Sequence, residues 1–373
     1  MKVLHICNDY AGSKVHMNLV KALSKRGVFQ TVYCPVRSAS QIGQNQFDSE
    51  DVDFYYPYII RPWYKFVYHI KLAKLYYNLK NSINLQDYNL IHASTLFSDG
   101  GLAYKVYKEY GIPYIVAVRN TDFNVFIRVL RHTYPMGHRI LRHAKKIVFI
   151  SSAILRQFEK SSFVKPILHE IKDKIELRPN GIDSYWLEHI SQRTKSGHKV
   201  LYIGNFSPGK NVVRLIRSVL LVREQQRYKD CHLTIVGGGG NSADEVEKLI
   251  NRHPDAISFL GKIDDKDRLA SVMRDNDLFA MPSIHETFGL VYLEALSQSL
   301  PVVYTKGQGI DGMFDDSIGI AVNPLSINDI KNALMTIMDA PSKFGNSCID
   351  FQVFSWNRIA DDYYRQYMSI LKN

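Results

Sequence analysis

Short apolar runs alternate with longer amphipathic stretches along almost the whole chain, and that alternation predicts its architecture. In the first half, residues 2–7, 29–34, 88–92, 114–118 and 146–150 read as strands, with a helix over about 16–26. Near-continuous apolar strands separated by amphipathic helices indicate a parallel sheet covered on both faces. The stretch 177–182 ends this half in a turn, Pro179-Asn180-Gly181. The pattern then repeats. Residues 199–203, 232–236, 257–260, 278–281 and 301–304 read as strands, and a helix opens at Val212. Four glycines, Gly237 to Gly240, follow the second of these strands. The pattern breaks over 186–197, where Ile190-Ser191-Gln192-Arg193-Thr194-Lys195-Ser196-Gly197 is polar. Two doubly wound α/β domains in series are expected, facing a cleft into which the strand C-termini deliver ligand contacts. A length of 373 residues, too great for one ordinary core, suits the same division.

The densest chemistry lies between Ala280 and Pro301, in AMPSIHETFGLVYLEALSQSLP. A strand breaks at Met281-Pro282-Ser283. A carboxylate, Glu286, precedes Gly289, and a helical stripe of Leu290, Leu293 and Leu296 follows. Glu294 borders that stripe, where an acid is costly unless something hydrogen-bonds it. A loop acid, a glycine opening a helix and a second acid one turn inside suit a phosphorylated polyol. Free N–H groups at the helix start face phosphate, and the two acids accept from hydroxyls.

The string P-S-x-x-E-x-F-G-L-x-x-x-E-A-L, with Glu286 and Glu294 eight apart, resembles the signature of retaining glycosyltransferase family 4. Other segments fit in the same order. LYIGNFSPGKNVVRLI resembles the strand, loop and helix that hold the donor diphosphate, LTIVGGGG the next strand and its glycine turn, and ISFLGKI the base-binding strand. Upstream, KIVFISS and RPNGID resemble the close of the first domain. The likeness covers nearly the whole chain and is strongest over 199–303. It implies the two-Rossmann glycosyltransferase-B fold, with an acceptor-binding domain over 1–187, a nucleotide-sugar-binding domain over 198–353, and a last segment, 354–373, whose helix crosses back to the first domain.

By this resemblance Lys210 contacts the donor diphosphate, and Phe288, Gly289 and Leu290 offer it backbone N–H groups. Glu286 binds hydroxyls of the transferred sugar and Glu294 the ribose. The main chain around Leu260, Gly261 and Lys262 meets the base. His285 adjoins the sugar pocket, and Gly12 stands where relatives carry a glycine-rich turn near the diphosphate. Three positions depart from the family. Asn205 replaces an arginine, removing one of two expected cations, with Arg214 and Lys14 as candidate substitutes. Val118-Arg119-Asn120-Thr121-Asp122 replaces a His-Asp pair. Either Arg119 acts at the sugar or phosphate and Asp122 meets the acceptor, or the two form a structural ion pair. Ser299 stands where glycine is common. The implied mechanism needs no cofactor beyond the nucleotide-sugar, and no metal, because this fold relies on protein cations.

Charge modifies the picture on one side only. The formal net charge is +11. Residues 1–187 hold 26 Lys and Arg against 14 Asp and Glu, so the whole surplus sits in the acceptor half. Two stretches without an acid, 61–80 and 125–146, concentrate it, and the first carries six aromatics. They suit either an anionic membrane surface or a partly buried helix with solvated lysines. Charge alone also allows nucleic acid, but no helix-turn-helix, finger or RNP-like string accompanies it, so none is expected. His92, His132, His138 and His143 lack metal spacing. Four scattered cysteines suggest a reducing compartment, and the opening MKVLHIC reads as a strand rather than a signal peptide. No apolar run is long enough to span a bilayer. The expected protein is a cytoplasmic or peripheral inner-face enzyme that moves a sugar from a UDP-linked donor to a glycan or lipid-linked glycan. A non-catalytic sugar-nucleotide-binding homologue that supports a partner transferase is the rival, on the strength of Asn205. An epimerase on the same fold is disfavoured by the full acid-pair context. The sequence does not specify an oligomeric state.

Overall fold

A computed structural model describes residues 1–65, 67–192 and 196–372. Part of the polar break, residues 193–195, falls outside them. The chain divides into two units: 1–150, 154–181 and 356–373 form the first, and 151–153 and 182–355 the second.

The first unit is built on a seven-stranded, wholly parallel sheet. Its strands are β1 (Lys2–Ile6), β2 (Phe29–Tyr33), β3 (Val52–Tyr55), β4 (Leu90–Ala93), β5 (Tyr114–Val118), β6 (Lys146–Phe149) and β7 (Ile175–Leu177), in the order β3-β2-β1-β4-β5-β6-β7. The central strands are buried at nearly every residue, as a sheet covered on both faces requires. The two edge strands were not expected from the pattern. Both are short, and β3 alternates exposed and buried residues while β7 buries none fully.

The last helix, Trp356–Lys372, belongs to this unit. Its Ile359, Ala360, Tyr363, Tyr367 and Ile370 pack with Val3, Leu23, Leu90 and Ile115 in one core. Polar contacts fix it as well: the Tyr367 hydroxyl lies 2.6 Å from His92 Nδ1, and the Arg178 guanidinium sits 4.4 Å from the Tyr363 ring centroid.

The second unit carries six parallel strands: β8 (Lys199–Gly204), β9 (His232–Gly237), β10 (Ile257–Phe259), β11 (Leu278–Ala280), β12 (Val302–Thr305) and β13 (Gly319–Val322). Their order is β10-β9-β8-β11-β12-β13. The order reverses beside β8, so the loops after β8 and β11 diverge at the switch point where open α/β sheets bind ligands. β13 was also missed. It opens on Gly319 at φ +151, where a Cβ would lie 1.9 Å from Val302 O, so only glycine lets this edge strand pair.

Candidate active site

Three loops of the second unit assemble around Lys210 and Glu286. After β8 the chain turns through a short helical turn, Pro208–Lys210, into the helix Val212–Arg223. Gly237 and Gly240 make room for that turn. A Cβ on Gly237 would meet Gly204 O at 1.9 Å, and one on Gly240 would lie 2.8 Å from the backbone of Phe206 and Ser207. Phe206 N donates to Gly239 O (2.7 Å), and Ser242 N to Phe206 O (2.8 Å). Asn211, left-handed at φ 62 and buried, donates through Nδ2 to Pro282 O (2.9 Å) and Pro324 O (2.7 Å). Ile284 N donates to Gly209 O (2.8 Å). The lysine loop is thereby stitched to the loop after β11.

The stitching brings Lys210 Nζ within 2.7 Å of Glu286 Oε2. Glu286 is 8% exposed and held at its backbone, where Gly309 N donates to its carbonyl (3.1 Å) and its own N donates to Gln308 Oε1 (3.3 Å). Its second carboxylate oxygen accepts from Thr287 N (3.1 Å). Gly289, at φ +79, turns the chain into the helix Leu290–Ser297, and a Cβ there would strike the Tyr292 ring at 2.5 Å. Phe288 is buried, while Gly289 and Leu290 are half-buried at the open start of that helix. A lysine and a carboxylate thus pair next to the start of the helix Leu290–Ser297, a combination able to bind a diphosphate and an adjacent sugar.

Glu294 lies on the same helix, half-buried. Burial, and then the nearby Asp183 carboxylate, push its pKa up to about 7, with Lys266 pulling the other way. Lys266 is itself paired to Asp183 at 2.6 Å. A carboxyl so close to neutrality is one that a hydroxyl-bearing ligand can stabilise in its charged form. His285 is exposed. Gly261 is left-handed at φ +67, and its carbonyl accepts from Gly237 N (2.8 Å), which presents the loop after β10 beside the glycine turn.

Asn205 has a local role that its sequence position hides. Its Oδ1 accepts from Ser207 N (3.1 Å), and its carbonyl accepts from the Tyr202 hydroxyl (2.7 Å), so the side chain closes an Asx turn at the head of the lysine loop. An arginine has no acceptor with which to do this. Arg214, a candidate substitute cation, instead donates to Asn211 Oδ1 (2.6 Å) and serves the start of its own helix. Lys14, the other candidate, is exposed at the start of the helix Lys14–Ser24 in the first unit.

In the first unit Asp122 requires correction. It is 1% exposed, and its two oxygens accept from Leu96 N (3.0 Å), Phe97 N (3.1 Å) and Arg119 N (2.9 Å). Burial lifts its pKa to about 6, against those three amides. It organises the loops after β4 and β5 and does not present a carboxylate to an acceptor. It bonds the Arg119 backbone and makes no side-chain ion pair with it among the described contacts. The Arg119 side chain reaches Ser94 O (3.3 Å) and Asn180 Oδ1 (3.4 Å) and stays half-exposed. Gly12 is exposed, and a Cβ there would meet Asp9 Oδ1 at 2.8 Å.

The same strand ends gather groups that the sequence reading had passed over or assigned elsewhere. Asp99, 1% exposed, accepts from Asn8 N (3.2 Å) and Thr95 Oγ1 (3.0 Å). Lys71 points inward to Ser98 Oγ (3.1 Å) and does not face solvent as a lipid-facing lysine would. The one sequence signal was the polar run Ser94-Thr95 and Ser98-Asp99 directly after a fully buried strand.

Known proteins agree with this architecture. Residues 12–185 match the family described as Glycosyltransferase Family 4, and residues 188–350 the one described as Glycosyl transferases group 1. An uncharacterized glycosyltransferase of Methanocaldococcus jannaschii is 23% identical over 67% of this chain and 68% of its own length. The D-inositol 3-phosphate glycosyltransferase of Stackebrandtia nassauensis is 27% identical over 74% of this chain and 67% of its own. Among solved structures, sucrose-phosphate synthase of Thermosynechococcus elongatus superposes with a TM-score of 0.73 at 17% identity, covering 100% of this chain and 99% of that one. The pneumococcal O-GlcNAc transferase GtfA in complex with UDP and GlcNAc superposes at 0.67 and 11% identity, with 100% and 99% covered. Matched in order through both halves, the chain belongs to the nucleotide-sugar-dependent glycosyltransferases of family 4, group 1, with the glycosyltransferase-B fold.

Proposed function

We propose that the protein is a retaining, metal-independent hexosyltransferase that moves a sugar from a UDP-linked donor to a glycan or lipid-linked glycan at the cytoplasmic face of the membrane. The observation that carries the reading is the 2.7 Å pair of Lys210 and Glu286 beside the open start of the helix Leu290–Ser297. Lys210 and the N–H groups at 288–290 stabilise the charge that develops on the leaving diphosphate. Glu286 holds hydroxyls of the transferred sugar and Glu294 the ribose, while Gly261 and its neighbours meet the base. The acceptor hydroxyl attacks the anomeric carbon from the face the diphosphate leaves, and its proton passes to a leaving phosphate oxygen. That some similar structures hold UDP or a UDP-sugar analogue supports uridine as the base.

Asn205 favours a second reading, a sugar-nucleotide-binding homologue without turnover that serves a partner transferase. Incubation with UDP- and GDP-sugars, following release of the nucleoside diphosphate, separates the two. Release with at least one donor, lost in Lys210→Ala, supports catalysis. Tight nucleotide binding with no release from any donor supports the second reading.

The peripheral location rests on charge and on exposed apolar groups of the first unit. Trp63, Ile70, Tyr77, Val125 and Val129 are exposed there. The structure reduces the basic complement of 61–80, since Lys71 turns inward and Lys80 pairs with Glu109. The Lys65 side chain lies outside the description, which leaves Arg61 and Lys74. No helix among the described residues is long and apolar enough to cross a membrane.

A further inference from the structure

We propose that Gln308 is a second sugar-reading residue of the donor site: one atom of its side chain holds Glu286 in place, and another donates a hydrogen bond to the transferred sugar. This role deepens the glycosyltransferase reading and rests on it, because that reading puts the transferred sugar at Glu286.

Gln308 stands in the loop after β12, over residues 306–312. Buried Thr305 anchors the start of the loop, its hydroxyl donating to Ser283 O (2.7 Å), and Asp311 closes the far side by accepting from Gly307 N (2.9 Å). Within that ring the Gln308 backbone is fixed on both sides. Its N donates to Thr305 O (3.2 Å), and its carbonyl accepts from Asp311 N (3.0 Å). The loop lies hard against the sugar acid: a Cβ on Gly309 would come within 3.0 Å of Glu286 Cγ and of Phe288 O. The root of the Gln308 side chain is therefore set beside Glu286.

Chemistry then decides which way its amide faces. Glu286 N is a donor, so the Gln308 atom 3.3 Å from it must be the acceptor Oε1. That leaves Nε2 with two N–H donors and no partner among the described residues, in a half-buried side chain. Nε2 is not one of the enclosed unpaired atoms, so a ligand can reach it. On Glu286, Lys210 Nζ meets one oxygen and Thr287 N the other, and each oxygen keeps a further acceptor position. An open acceptor and an open donor on adjoining side chains match neighbouring hydroxyls of a sugar, one donating to Glu286 and the next accepting from Gln308. An ionised phosphate only accepts, and would find a donor on Gln308 but none on Glu286. The pair thus suits the sugar end of a nucleotide-sugar.

Calorimetric titration of the whole chain with UDP, UDP-glucose, UDP-galactose, GDP and GDP-mannose tests the proposal on wild type, Gln308→Glu and Gln308→Ala. Gln308→Glu keeps an oxygen for Glu286 N and loses the N–H donors, whereas Gln308→Ala loses both functions. Dividing the affinity for each sugar nucleotide by that for its nucleoside diphosphate isolates the sugar contact. For the sugar nucleotide that wild type binds best, we expect this ratio to fall about fivefold in Gln308→Glu, as for one lost hydrogen bond, and further in Gln308→Ala, with nucleoside diphosphate affinity unchanged. A ratio unchanged in both variants overturns the proposal. So does a fall in nucleoside diphosphate affinity that matches the fall for the sugar nucleotide, the mark of a loop whose role is structural alone. Wild type that binds neither UDP nor GDP overturns the donor reading and the sugar contact with it, whereas a nucleoside diphosphate that binds beside an unchanged ratio leaves the donor reading standing.

Discussion

Glu294 shows how one side chain can report the state of the site. Its folded pKa, raised to about 7, means that the charged form is disfavoured in the free protein. The sign follows: its contribution costs nothing below the ordinary carboxylate range and becomes destabilising as pH rises towards 7 and beyond. Glu294→Gln should therefore raise Tm at pH 8 and change it little at pH 5. Nucleotide affinity should move oppositely, because the ionised acid is the better acceptor for ribose hydroxyls. Wild-type UDP affinity should gain on that of Glu294→Gln as pH increases through 7, the nucleotide's own ionisation cancelling in the comparison. Parallel affinity profiles would remove Glu294 from the ribose. For Lys210→Ala the account predicts transfer reduced by about two orders of magnitude, comparable with losing a preorganised oxyanion donor. Side-chain roles were only half legible in the sequence. Glu286 and Lys210 stand in strings whose family resemblance implies a shared ligand, and they lie 2.7 Å apart, whereas Asp122 reads as an available acid until three backbone amides are found on it. Asn205 reads as a lost cation until Ser207 N is found on its side chain.

The elements that hold the site are three loops kept close by glycines and by one left-handed asparagine. Gly237→Ala would force a Cβ to within 1.9 Å of Gly204 O at φ +129, so β8 and β9 must separate at the ends that feed the lysine loop. We expect a loss of roughly 2–4 kcal/mol from strain and overpacking, read by chemical denaturation, with donor turnover falling further than stability alone explains. An unchanged denaturation midpoint would contradict the close approach. Central strands were legible because burial on both faces leaves near-continuous apolar runs. The edge strands β3, β7 and β13 were not, because half-exposed edges keep polar residues and glycines that read as loop. Lys71 was misjudged for the related reason that a basic helix looks solvated until its inward face meets Ser98.

At the scale of the whole molecule, the positive surplus of residues 1–187 sets the first unit apart from a nearly neutral remainder. Co-sedimentation with anionic vesicles at low salt, weaker with neutral ones, is expected from the exposed Trp63, Ile70, Val125 and Val129 and their basic neighbours. Arg61→Glu with Lys74→Glu should release the protein while leaving hydrolysis of a soluble donor intact. Wild type that ignores anionic vesicles would shift the acceptor towards a soluble molecule. Each half of the repeated strand pattern supplies a sheet of its own, whereas the polar break over 186–197 falls inside the second unit, which begins its main segment at Ile182. The central claim is sugar transfer with retention at the Lys210 and Glu286 site, and proton NMR of the anomeric region during turnover of an α-linked nucleotide-sugar tests it most directly. The account predicts that the first sugar signal to appear, on acceptor or on water, has the α configuration, and that it is absent in Lys210→Ala. A β signal appearing first, or an equal rate in Lys210→Ala, would contradict it.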